Sequence, residues 1–266
     1  MYAFDYHKAA SLNDAASRAG ANPDAKLLAG GQTLIASMKL RLASPPQLID
    51  LRDVAELRGI KLDGNAVSIG AMTRHNEVAG SKEVQQALPA LARLAGGIGD
   101  RMVRNLGTLG GSVANNDPAA DYPAAVLGLG ATVNTNKRKI AADDMFKGMF
   151  ETALQPGEII ASISFPTAKR AAYAKFKNPA SRYAIVGVFV ADTGNGVRVA
   201  VTGAGPCVFR VAAMEKALAS KFAADAIAGI RLPASGLNSD LHASAEYRAH
   251  LVTVMAKRAV EQALAG

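Results

Sequence analysis

The 266-residue sequence predicts a mixed α and β fold on three observations. Short β-rich runs alternate with helical stretches from end to end. No internal repeat or low-complexity segment interrupts them. Two glycine pairs, Gly30-Gly31 and Gly110-Gly111, punctuate the alternation where tight backbone turns are needed.

Taken in order, Ser11 to Ala19 has a Ser-x-x-Asp start and Gly20 as a stop, the pattern of a short helix. Lys26-Leu27-Leu28 is a brief strand that runs into Ala29-Gly30-Gly31-Gln32-Thr33-Leu34. Leu34, Ile35, Met38 and Leu42 then share one helical face, and Pro45-Pro46 stops that helix before a strand from Gln47 to Leu51. Val67 to Met72 predicts another strand, and Glu83 to Leu94 an amphipathic helix ending at Gly96-Gly97. The stretch from Arg104 to Pro123 packs Gly, Asn, Asp and Pro densely and reads as a long ordered loop. Ala125 to Val133 is a short helix or a buried strand, and Glu158 to Phe165 alternates as a strand. Pro166 to Arg170 reads as a linker. Beyond it, Tyr183 to Ala191 and Gly196 to Thr202 flank the hairpin signal Asp192-Thr193-Gly194-Asn195, and helices follow at Ala212 to Ala224 and Ser244 to Ala265. These elements suggest a three-stranded sheet with helices on one face.

Half of the residues are hydrophobic and 20% are charged, an ordinary globular balance. At about 150 residues per domain the length allows one large or two smaller domains. No apolar run approaches the roughly 18 residues of a membrane span. The start of the chain, Met1 to Tyr6, carries neither a basic leader nor an apolar signal core, so a cytoplasmic location is expected. The net charge is +8, but the basic residues are scattered and no aromatic residues interleave with them, which argues against nucleic-acid binding. Cys207 is the only cysteine, so this chain cannot by itself ligate an iron–sulfur cluster or a cysteine zinc site. No metal site is expected. The sequence has no GxxxxGK[ST] and no G-x-G-x-x-G between a strand and a helix. His7, His75, His242 and His250 accompany no nucleophile motif, and Asp143-Asp144 suits a loop or helix cap better than a metal.

A glycine pair after a strand lets successive N–H groups converge, and such a concavity binds phosphate oxygens. One pair alone is more often a plain turn. Two pairs flanked by Gln32, Thr33, Thr108 and Ser112 supply the backbone, amide and hydroxyl groups that a diphosphate and a ribityl chain require.

Ala29-Gly30-Gly31-Gln32-Thr33-Leu34 and Thr108-Leu109-Gly110-Gly111-Ser112, with Asn116-Asp117-Pro118-Ala119-Ala120-Asp121, closely resemble the FAD-binding medium subunit of molybdenum hydroxylases, the xanthine dehydrogenase and carbon monoxide dehydrogenase family. The likeness continues through Gly148 to Leu154, Pro156 to Ile160 and Leu241 to Arg248. The resemblance implies an α+β fold: a vanillyl-alcohol-oxidase (PCMH)-type FAD-binding domain over residues 1–170, in two subdomains of about 1–55 and 56–170, then a small C-terminal domain over 171–266. It also implies that the backbone from Gly30 to Leu34 and from Thr108 to Ser112 cradles the FAD pyrophosphate. Asn116 and Asp117 belong to the same cofactor-binding set, and Asp121 bonds the sugar hydroxyls. Ile160 lies near one end of the cofactor, Lys177 faces the flavin and favours its reduced anionic form, and Tyr183 packs against the ring. Arg182 stands before that tyrosine where many relatives have Asp. Gln32 and Ser112 stand where well-characterised carbon monoxide dehydrogenases often have His and Asp, and so resemble more the second-form carbon monoxide dehydrogenase and the aldehyde or N-heterocycle dehydrogenases.

The same resemblance implies a division of labour. Substrate is oxidised at a molybdenum cofactor on a large subunit, two [2Fe-2S] clusters on a small subunit relay the electrons, and FAD on this chain passes them to an external acceptor. The expected assembly is a dimer of such heterotrimers. No side chain of this subunit needs to be a covalent catalyst. The alternatives are a stand-alone flavin oxidase or reductase of the same fold and a non-catalytic nucleotide-binding module.

Overall fold

The computed structural model describes residues 1–266, and their strands form three main sheets and one small hairpin. The first sheet is parallel. Strands β1 (Asp5–Lys8) and β2 (Lys26–Leu28) both pair with β3 (Gln47–Asp50), and helices α1 (Leu12–Ala21) and α2 (Leu34–Lys39) make the crossovers. Ser11 caps α1 by accepting a hydrogen bond from the Asp14 N–H, as its Ser-x-x-Asp start predicts. The end of α2 comes before Pro45-Pro46, because the chain turns at Arg41 with a positive φ of 60°.

The second sheet is antiparallel in the order β4-β5-β10-β6-β7. Strands β4 (Ile60–Asp63) and β5 (Ala66–Gly70) are followed by a run of six short helices: α3 (His75–Gly80), α4 (Lys82–Ala87), α5 (Pro89–Gly96), α6 (Arg101–Leu106), α7 (Leu109–Asn115) and α8 (Tyr122–Leu129). Two expectations are corrected here. The single helix expected from Glu83 to Leu94 is split, because Pro89 holds Leu88 out of the helical region, at φ −144°. The expected loop from Arg104 to Pro123 is largely helical. Asp100 and Thr108 cap α6 and α7 through hydrogen bonds from the N–H groups of Val103 and Gly111. The apolar run from Ala125 to Val133 holds both elements that it suggested, the end of α8 and the start of β6 (Thr132–Thr135). All eight residues of α8 are buried, as befits a helix that is apolar all round. Next come β7 (Lys139–Ala141), α9 (Ala142–Met145), the hairpin of β8 (Phe146–Gly148) with β9 (Glu151–Thr152), and the central strand β10 (Ile160–Pro166).

The third sheet begins immediately at the expected linker. Strands β11 (Arg170–Lys177), β12 (Ala184–Asp192) and β13 (Val197–Thr202) are long, and the two-residue β14 (Phe209–Arg210) adds a fourth to the three expected. Helices α10 (Ala212–Ser220) and α11 (Ala245–Ala265) follow. Helix α11 packs on β11 and β12 over a core that includes Val186, Val188 and Val252, while Phe189 on the opposite face of β12 joins the core around α8. A β-carbon on Gly128 of α8 would come within 2.8 Å of the Phe189 ring, so glycine there lets helix and strand close on each other. No helix is long and apolar enough to cross a membrane.

Candidate functional site

The ends of several strands and helices, β2, α2, α7, α8 and β10 among them, border a cavity of about 660 Å³. The first glycine pair follows β2. Gly31 has φ +72°, a conformation that glycine adopts without strain, and this turn aims the chain into α2. The backbone N–H groups of the five residues from Gly30 to Leu34 make no hydrogen bond within the chain. They form a row of free donors beside the cavity.

The second pair acts differently. The N–H groups of Leu109 and Gly110 donate to the carbonyl oxygens of Thr73 and Ala71, and that of Gly111 donates to the Thr108 hydroxyl. These donors are spent on holding α7 in place. What Gly110 and Gly111 contribute is room. A β-carbon on Gly110 would overlap Ala71, and one on Gly111 would lie 3.3 Å from the Ala29 β-carbon and 2.8 Å from the Thr108 hydroxyl. Gly30 in turn would overlap the Leu106 carbonyl. The second pair is therefore no turn but part of the first turn of α7, and that helix start is pressed against the first glycine turn, with one supplying donors and the other close approach.

Of the expected site residues, Ala29, Gly30, Gly31, Gln32, Thr33, Leu34, Thr108, Gly110, Gly111, Ser112, Asp117, Asp121, Ile160 and Tyr183 line this cavity. Asn116 and Lys177 do not. Asn116 caps α7 in a left-handed conformation (φ 44°) and is fully buried, and its Nδ2 donates to the carbonyl oxygens of Gly148 and Glu151, each at 2.8 Å. It ties down the hairpin that carries Phe150 (φ 56°), an exposed aromatic residue on the cavity wall. Lys177 is exposed at the end of β11, where a bulge shifts the register to Ala184.

Asp121 opens α8, yet its carboxylate does not cap the helix. It is only 4% exposed. Its Oδ1 accepts from the Tyr173 hydroxyl at 2.6 Å and lies 2.9 Å from Lys175 Nζ. Burial pushes this carboxyl above the usual range, against the pull of Lys175 and Tyr173. Tyr183 is half-exposed after Arg182, which takes φ +64°. Burial and the nearby Asp117 and Asp121 carboxylates raise the Tyr183 phenol.

Two residues of the cavity wall, His75 and Glu158, lie outside the set that the sequence predicts. His75 is 5% exposed, its Nδ1 has no partner, and its ring lies 5.3 Å from that of Tyr122. Burial, aided by the Arg104 charge, lowers its pKa to about 4. Glu158 receives hydrogen bonds from Arg138, from the Thr135 hydroxyl at 2.8 Å and from the Gln155 N–H at 2.8 Å. Burial alone would raise its carboxyl, but these donors, led by Arg138, hold it at about 2. No group of three or more His, Cys, Asp or Glu residues is arranged to hold a metal ion.

Comparison with known proteins places these features in a lineage. Residues 2–168 match the family described as the FAD binding domain in molybdopterin dehydrogenase. Residues 171–263 match the CO dehydrogenase flavoprotein C-terminal domain. The carbon monoxide dehydrogenase medium chain of Hydrogenophaga pseudoflava is 37% identical, over 98% of this chain and 97% of that protein. The glyceraldehyde dehydrogenase medium chain of Sulfolobus acidocaldarius is 33% identical, over 97% of this chain and 98% of that one. A solved structure of the Hydrogenophaga pseudoflava carbon monoxide dehydrogenase superposes with a TM-score of 0.90 at 37% identity, covering 99% of this chain and 98% of that one.

Proposed function

Given that the chain belongs to the family of FAD-binding domains in molybdopterin dehydrogenases, as a medium subunit of the molybdenum hydroxylase type, we propose that it is the electron-transfer subunit of a heterotrimeric complex. In this reading it takes electrons from [2Fe-2S] clusters on a small partner and passes them to an external acceptor, while substrate is oxidised at a molybdenum cofactor on a large partner. The complex is a cytoplasmic dimer of heterotrimers. The chain divides into a FAD-binding unit over residues 1–170 and a C-terminal unit over 171–266.

The observation that carries the cofactor site is the row of free N–H groups from Gly30 to Leu34. Backbone donors with no partner inside the chain suit the oxygens of a diphosphate. The cavity volume lies within the range of small-molecule and cofactor sites. When bound, FAD supplies one- and two-electron chemistry. The residues of this chain bind and orient it. Gly30 to Leu34 hold the pyrophosphate, and Gly110 and Gly111 let that turn and the start of α7 close on it. Ser112 and Asp117 supply polar groups along its length, and Asp121 accepts from its sugar hydroxyls. Ile160 and Tyr183 offer apolar and aromatic surface to its rings. Asn116 contributes by fixing the wall, and the exposed Lys177 stays outside it.

The test is the visible spectrum of the chain purified with its co-expressed partners. A flavin envelope that bleaches with dithionite, with FAD rather than FMN released on denaturation, supports the reading. A colourless complex that gains no thermal stability from added FAD overturns it. Co-purification of a large and a small subunit separates it from a stand-alone oxidase.

A further inference from the structure

The Tyr173 hydroxyl, Lys175 Nζ and the Asp121 carboxylate form a buried charged cluster that joins the two units at the cavity wall. Asp121 begins α8, within the residues matched by the FAD-binding family, and the other two lie on β11, within those matched by the C-terminal family. Strand alternation puts Tyr173 and Lys175 on the same face of β11. On the neighbouring strand, Gly187 pairs with Lys175, and a β-carbon there would overlap the Tyr173 hydroxyl. Glycine at 187 therefore leaves that hydroxyl free to reach Asp121. Lys175 is itself 9% exposed and also donates to the Gly97 carbonyl at 3.0 Å.

Such a cluster is costly to bury, because a carboxylate out of water must be compensated by charge and hydrogen bonds. The compensation here is incomplete. Oδ1 accepts from the Tyr173 hydroxyl at 2.6 Å and Oδ2 from Lys175 Nζ at 3.2 Å, while the ammonium also lies 2.9 Å from Oδ1. A carboxylate has about four acceptor positions, so Oδ2 keeps capacity for one more donor. Asp121 lines the cavity. We propose that Lys175 and Tyr173 are positioning residues that reach across from the C-terminal unit to hold Asp121 in the cavity wall as a fixed anionic acceptor for a sugar hydroxyl of FAD. This rests on the flavin reading above.

The titratable groups around Asp121 are Tyr173 and Lys175 on β11, Tyr122 beside it on α8, His75 on α3 against the Tyr122 ring with Arg104 near it, and Asp117 and Tyr183 on the cavity wall. Between about pH 6 and 9, His75 stays neutral and the three tyrosines, all raised by burial, stay protonated.

The experiment titrates FAD into the flavin-stripped complex by fluorescence quenching across that pH range. The wild type, in which Lys175 faces the carboxylate, gives a shallower pH profile than Lys175→Met. In Lys175→Met the carboxylate has lost its counter-charge and takes up a proton, so affinity falls about tenfold or more near neutrality and recovers as pH rises. Adding Asp121→Asn to Lys175→Met removes the titrating group and flattens the profile. Tyr173→Phe keeps the ion pair and weakens FAD about two- to fivefold without pH dependence. Because it keeps the charges, it also serves if Lys175→Met does not fold. Unchanged affinity in both variants overturns the proposal, and so does a weakened but flat profile in Lys175→Met, the signature of lost packing alone. A wild-type complex that takes up no FAD counts against the flavin reading itself.

Discussion

The absent β-carbon of Gly30 is filled by the carbonyl oxygen of Leu106, so the first glycine turn rests directly on the backbone that leads into α7. Two segments separated by more than seventy residues meet without a side chain between them. Gly30→Ala must drive them apart, and backbone cannot yield as a side-chain tip can. The expected cost is about 1–3 kcal/mol, with loss of bound flavin. Gly31→Ala is different in kind. Its β-carbon meets the Ile35 side chain at 3.0 Å, and the positive φ costs about 1 kcal/mol. Flavin content per chain and the thermal midpoint distinguish the two, and a Gly30→Ala protein with a full flavin complement would refute the argument.

Acid should destabilise the protein through His75. Its pKa is about 4 in the folded chain against 6.5 when exposed, so the folded state resists protonation. This contribution is fully present above pH 6.5 and is lost as pH falls toward 4, up to about 3 kcal/mol. Urea midpoints measured across that window should decline, and His75→Leu should reduce the slope. An identical slope in the variant would exclude His75 as its source.

Arg138→Ala removes the main partner of Glu158. Because Arg138 is 43% exposed and screened by solvent, only a modest loss is expected near neutrality. The sign follows from a folded pKa near 2, below the ordinary 4.5. The stabilisation is present above pH 4.5 and lost as pH falls toward 2, so wild type and variant should converge in acid. Chemical denaturation at neutral and acid pH checks this.

Asn116→Ala deprives the Gly148 and Glu151 carbonyl oxygens of their shared donor and puts alanine at φ 44°. About 2–3 kcal/mol should be lost. Amide exchange in residues 146–152 should accelerate more than in α11. Uniform acceleration would show that the hairpin is not what Asn116 holds.

Much of this site could be read from local chemistry. Gly30 and Gly31 announce a turn that only glycine makes easily, and Ser11 and Asp14 announce a helix start. The stretch from Arg104 to Pro123 could not be read this way. Gly110, Gly111 and Asn115 are poor helix formers, and α7 exists because Thr108 caps it and Gly110 packs against Ala71, whose partnership no local pattern reveals. Lysines 175 and 177 pose the same problem. Alternation puts both on one face of a strand, but the bulge after Phe176 and an aspartate 54 residues away decide which one reaches the cavity. Asn116 and Asp117 are adjacent and chemically similar, and only the left-handed backbone at Asn116 turns it from the cavity toward the hairpin.

Helix α8 is enclosed on every side, partly by its own half of the chain and partly by β12, β13 and β14. A protein cut at the apparent linker would strip α8 of the cover that β12, β13 and β14 give it, so the two halves are expected to unfold together. Heating should therefore give a single endotherm, with strand and helix signals lost together. In such a chain a destabilising change far out in the C-terminal sheet should be felt at the glycine turn after β2, and the cofactor should report on the integrity of the whole molecule.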